Sequence, residues 1–104
     1  MKQIESLLGL AAKAGNLVAG SAAVEAALKK GRVELVICTA DLSEKTIQNY
    51  RFWCQTKGVK FYCFGNRENL GRMIGRPGRG VIGITSKNFA VGITALLKDG
   101  GDLP

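Results

Sequence analysis

Short apolar runs alternate along this chain with longer stretches whose apolar residues recur at helical spacing, and a glycine stands at most of the junctions. Strands that alternate with helices must be joined across the faces of a sheet. The pattern therefore restricts the chain to an α/β fold, with a largely parallel or mixed sheet and helices on both faces.

Ile4, Leu7, Leu8 and Ala11 fall on one helical face, and this first helix ends at Gly15-Asn16. Leu17 to Ala19 is a short strand candidate closed by Gly20-Ser21. An alanine-rich helix follows, with Ser21 as its cap and Ala22, Ala23, Ala26 and Ala27 expected to pack closely on the sheet; it stops at Lys30-Gly31. Val33 to Thr39 is apolar on both faces apart from Glu34, as a central strand covered on each side requires. Asp41 and Glu44 form a D-x-x-E capping pattern that opens a third helix. There Ile47, Tyr50 and Cys54 make the buried stripe, Trp53 flanks it, and Phe52 lies off it.

A further strand, Val59 to Phe64, leads into a short helix bearing Leu70, Met73 and Ile74. The loop from Gly75 to Gly80 then precedes the strand Val81 to Thr85. The last helix, from about Lys87 to Lys98, carries Phe89, Ile93, Leu96 and Leu97 on one face, and the tail from about residue 99 is expected to fray. The expected architecture is a three-layer α/β/α sandwich around a four-stranded mixed sheet. At 104 residues the chain has room for one domain, taken as residues 1–104.

Hydrophobic and charged fractions of 46% and 22% are ordinary for a globular protein. The charge balance is not: fifteen Lys and Arg against eight Asp and Glu give +7, a surface that attracts polyanions, although positive charge also serves solubility alone. The three cysteines Cys38, Cys54 and Cys63 form no C-x-x-C pair, which leaves neither a disulfide framework nor a zinc knuckle and favours buried, reduced thiols. The apolar run from Leu7 is too short for a secretory core and is preceded by Glu5, and no run approaches the ~20 apolar residues of a membrane span. A cytoplasmic protein is expected.

Catalysis finds little support, because histidine is absent and the acids are scattered singly on predicted helices and strand edges. Gly78, Gly80 and Gly83 match G-x-G-x-x-G but run into a strand instead of opening a helix, and Val81 stands where a phosphate-binding loop needs lysine. Neither pattern points to a nucleotide cofactor, and no cofactor or metal is expected.

Two segments suit nucleic acid. Arg67, Arg72, Arg76 and Arg79 form the densest positive patch, with Lys60 and Lys87 beside it in the sequence. Gly75, Pro77, Gly78 and Gly80 let the backbone come close to a ligand while arginines fork onto phosphates or guanine edges; a plain turn with solvated arginines is the alternative. The Gly20-Ser21 start of the second helix offers free N–H groups and the positive end of the helix dipole, unless Ser21 is only a cap. Phe61, Tyr62 and Phe64 belong to a strand too apolar for a stacking platform and read as core.

The order Leu8-Gly9-Leu10-Ala11-x-x-Ala14-Gly15, Gly20, Lys30-Gly31, Leu35-Val36-Ile37 leading to Asp41, and Leu70-Gly71-Arg72-x-x-Gly75 resembles the ribosomal protein L7Ae family of kink-turn RNA binders, in particular its stand-alone bacterial, YlxQ-like branch. The likeness spans roughly residues 4 to 97. It implies an α/β/α sandwich that grips an RNA kink with two loops, without metal or cofactor, as a ribosomal or ribonucleoprotein component. The implied RNA-binding residues are Gly20, Ser21, Ala22 and Ala23 with Arg72, Arg76, Pro77, Gly78, Arg79 and Gly80.

Where typical members carry an asparagine, a glutamate and a lysine that read the sheared guanines, this sequence has Ala22, Ala23 and Ala26. Each missing base-edge contact costs about 1 to 3 kcal/mol of discrimination. The expected partner is therefore a structured RNA, ribosomal or regulatory, with ribosomal proteins as further candidates and a monomer favoured. A protein-interaction module of the same fold and a detached substrate-recognition domain of an RNA methyltransferase are the alternatives.

Overall fold

The computed structural model describes residues 2–98. Their order is α1 (Lys2–Lys13), β1 (Leu17–Ala19), α2 (Ser21–Lys29), β2 (Leu35–Cys38), α3 (Glu44–Lys57), β3 (Lys60–Cys63), α4 (Arg67–Ile74), β4 (Val81–Ile84) and α5 (Lys87–Lys98). The strands pair in the order β1-β4-β2-β3. β2 runs parallel to β3, but β4 lies between β1 and β2 and is antiparallel to both, so the sheet is mixed, with one parallel pair. The tail from about residue 99 lies outside the described residues.

Side chains leave a strand alternately on its two faces, and both faces of β2 are covered, which is why it reads as a continuous apolar run. Leu35 and Ile37 join Ile82 and Ile84 of β4 beneath α1, α4 and α5, where Ile4, Leu8, Leu70, Ile74, Ile93 and Leu97 close one core. Val36, Cys38 and Val81 face the other way, toward Val24 and Leu28 of α2 and Tyr50 and Cys54 of α3. Two cores thus share one sheet, giving the expected three layers. Phe64 is buried, whereas Phe61 and Tyr62 are half-buried on the edge strand β3.

Three local expectations change. The cap of α2 is Gly20, with no side-chain cap bond, and Ser21 is the exposed first residue of the helix. The cap of α3 is Ser43, whose hydroxyl accepts from the Thr46 N–H at 3.1 Å; Asp41 lies two residues too early and turns to Arg67 instead. Finally, of the α2 alanines only Ala27 packs in the core, while Ala22, Ala23 and Ala26 are exposed. The helix lays Val24, Ala27 and Leu28 on the sheet, and the 3.6-residue turn leaves the other alanines outside.

Candidate nucleic-acid interface

Helix α4 starts at Asn66, whose side chain accepts from the Asn69 N–H at 2.8 Å, and buries Leu70 and Ile74. This orientation puts Gly71 against the chain that follows the helix. Gly75 turns the backbone out with φ 73°, and the Arg76 N–H then donates to the Gly71 carbonyl at 2.9 Å. A Cβ on Gly71 would stand 3.0 Å from the Arg76 carbonyl oxygen and 3.0 Å from the Pro77 Cα. The Leu-Gly-Arg-x-x-Gly element is thus a packing device that folds the loop Gly75–Gly80 back on its own helix. At the far end, the Gly80 carbonyl accepts from the Thr39 N–H at 2.8 Å, and the Thr39 hydroxyl stands 3.3 Å from it, its one proton shared between this carbonyl and the Asp41 carboxylate. Gly80 itself is buried beneath Leu42 and the Arg67 stem, so it anchors the loop while Arg76, Pro77, Gly78 and Arg79 remain exposed.

The start of α2 lies against this loop. Gly20, at φ 97°, donates its N–H to the Val81 carbonyl at 2.9 Å, and a Cβ there would come 3.5 Å from Cδ of Arg79. The Arg79 side chain therefore runs along the entrance of a helix whose first-turn amides have no capping side chain. Ser21, Ala22 and Ala23 are exposed beside it. Further along, Ala23 and Ala26 line a shallow groove whose walls also carry Lys30 and Arg32. The fold brings both sequence-predicted segments to one end of the sheet. Arg72 stays one turn back on α4, where its guanidinium donates to the Asn69 side chain.

The positive patch is smaller than the sequence indicated. Arg67 pairs with Asp41 at 3.5 Å, the only ion pair among the described residues. Lys60 and Lys87 share a cleft with Glu34. They sit at the other end of the sheet, because Lys60 and Ile84 both pair with Leu35 whereas the loop enters β4 opposite Cys38. Arg72, Arg76 and Arg79 remain.

Sequence reasoning missed the support formed by Thr39, Asp41 and Arg67. The Asp41 carboxyl is held below the usual carboxylate range, first by the Thr39 hydroxyl and then by the Arg67 backbone N–H and guanidinium. Its position at a strand end was the available signal, but a capping motif explained it equally well. Burial pushes the thiols of Cys38 and Cys54 up to about 12 and about 11, and raises that of Cys63, which keeps them protonated at neutral pH. Among the described residues no group of His, Cys, Asp or Glu could hold a metal ion.

A four-stranded mixed sheet between two helical layers, with an arginine loop folded against the entrance of α2, defines the L7Ae-like α/β/α sandwich. The sequence profile of the Ribosomal protein L7Ae/L30e/S12e/Gadd45 family matches residues 2–91, and the chain belongs to that family. It is 34% identical over 91 residues to the RNA-binding protein YlxQ of Bacillus subtilis (strain 168), covering 88% of this chain and 91% of that one. A Bacillus halodurans C protein of unknown function superposes with a TM-score of 0.90 at 36% identity, over 94% of this chain and 99% of the other. The Giardia lamblia 15.5kD RNA binding protein shares the fold, with a TM-score of 0.76 at 20% identity, covering 94% and 84%.

Proposed function

We propose that this chain binds structured RNA without catalysing a reaction, and holds a ribosomal or regulatory RNA with a kink or internal loop between the start of α2 and the loop Gly75–Gly80. It does so as a monomer in the cytoplasm. The observation that carries this reading is the closeness of Gly20 and Arg79, whose side chain passes 3.5 Å from where a Gly20 Cβ would stand and so sets an arginine-bearing loop beside an uncapped helix N-terminus. Backbone amides and arginines at one place suit the phosphates of a folded strand. The family and the RNA-binding relative from Bacillus subtilis support the same partner.

Alanine at positions 22, 23 and 26 offers no side-chain donor or acceptor to base edges there. Recognition then rests on the shape and charge of the RNA more than on a base code. The test is titration of a kinked RNA at two salt concentrations. Three arginines on phosphates give a slope of log affinity against log salt of about −3, and Arg76→Ala with Arg79→Ala reduces its magnitude by about 2. Unchanged affinity and slope in a folded double variant would exclude the loop from binding.

A further inference from the structure

Between α2 and α3 lies a cleft of about 230 Å³ lined by Glu25, Leu28, Lys29, Phe52, Trp53, Thr56 and Lys57. Phe52 is 64% exposed at its edge. The cleft is smaller than the roughly 300 to 1,000 Å³ that encloses a drug-sized ligand, which suits a single planar ring. Its walls are apolar and aromatic, two lysines stand on its rim, and Arg51 is occupied elsewhere over the Phe61 ring.

The cleft begins one helical turn along α2 from the proposed RNA face. Glu25 lies one helical turn from Ser21 on the same side of α2, and Lys29 lies one turn further, about 6 and 12 Å along the axis. The Trp53 ring meets Tyr50 edge-on with centroids 5.1 Å apart, and the Tyr50 hydroxyl reaches the Ser21 carbonyl at 3.4 Å. Resting on the RNA reading above, we propose that this cleft is a second contact, which takes one unpaired nucleobase of the strand held at the loops. The base stacks on Phe52 beside Trp53, and its flanking phosphates meet Lys29 and Lys57.

Glu25 is the one carboxylate on the walls and selects the base. A carboxylate accepts hydrogen bonds and donates none at neutral pH, so it favours a base with an exocyclic amino group, cytosine, adenine or guanine, over uracil, whose exocyclic oxygens only accept. A protein partner fits the face less well. One exposed phenylalanine and part of a tryptophan fall far short of the ~1,000 Å² that a specific protein interface buries.

Trp53, the only tryptophan in the chain, reports on the cleft directly. The experiment titrates the intact protein with short single-stranded oligoribonucleotides of cytidine, adenosine or uridine and reads its emission. The expected result is saturable quenching by the cytidine or adenosine oligomers, with uridine several-fold weaker. Phe52→Ala, at an exposed position that leaves the fold intact, weakens binding by about 5- to 150-fold, as loss of one stacked base does. Phe52→Leu, which keeps apolar surface without a ring face, weakens it too. The quench survives in Arg76→Ala with Arg79→Ala, because the cleft does not include the loop.

Emission unmoved by every oligomer, or oligomer affinity unchanged in both Phe52 variants, overturns the cleft site. If kinked RNA still depends on the loop arginines in that case, the RNA reading stands and the α2–α3 face belongs to a protein partner. Quenching that depends on Phe52, beside kinked-RNA affinity indifferent to the loop arginines, upholds the cleft and removes the loop.

Discussion

Gly71→Ala tests the packing that positions the arginine loop. Gly71 lies inside α4, where alanine in place of glycine normally gains about 1 kcal/mol in helix propensity. Here the new Cβ would meet the Arg76 carbonyl and the Pro77 Cα at 3.0 Å, well inside the ~3.5 to 4.0 Å of an optimal contact. Both neighbours are backbone, fixed between the Gly75 turn and the Thr39–Gly80 hydrogen bonds, so relief requires moving the loop. Overpacking of this kind costs about 1 to 3 kcal/mol, and subtracting the helical gain leaves a net loss of about 0 to 2. A loss of about 1 kcal/mol lowers the midpoint by about 4 to 8 °C in a domain of this size. Gly92→Ala is the companion: it too is helical, but its Cβ would meet only the Leu7 Cδ1, at 3.4 Å, so the propensity gain survives. Thermal unfolding of both variants, with titration of kinked RNA well below the midpoint, should show Gly92→Ala stabilised and Gly71→Ala destabilised with weaker RNA binding. Equal stabilisation of the two, with RNA affinity untouched, would refute the claim that Gly71 is small to admit the loop.

Two further outcomes follow from the corrected caps and from Asp41. Ser43→Ala removes the acceptor for the Thr46 N–H and should cost about 1 kcal/mol in urea unfolding, whereas Ser21→Ala, which removes no cap bond, should stay within about 0.5 kcal/mol of the parent. The folded state holds the Asp41 carboxyl lower than the unfolded chain does, so its contribution is fully present above the ordinary carboxylate range and is lost as pH falls through the folded value. The stability difference between the parent and Asp41→Asn should therefore close on acidification; a difference constant down to strongly acid pH would show that the Thr39 and Arg67 contacts do not act on the carboxylate.

The periodicity of the chain by itself determined the nine elements, the two-sided burial of β2 and the glycine ends of the helices, because these follow from spacing along one segment. It also marked both candidate RNA segments and set Phe52 off the buried stripe of α3, while its exposure was settled only by the fold. Tertiary structure decided what depends on partners distant in sequence. No local pattern states that β4 inserts antiparallel between β1 and β2, yet that insertion brings Arg79 beside Gly20 and carries Lys60 and Lys87 to the opposite end. The assignment of Asp41 failed for the same reason: a capping motif and a partner 26 residues away give one sequence signal, and only the folded chain supplies Arg67. The alanines of α2 were misplaced because their uniform size hides which face of the helix meets the sheet, a choice made by Val24 and Leu28 against β4 and β2. Pairing, charge neutralisation and the face a helix buries are pairwise in space, and a sequence records them only after the fold has brought the partners together.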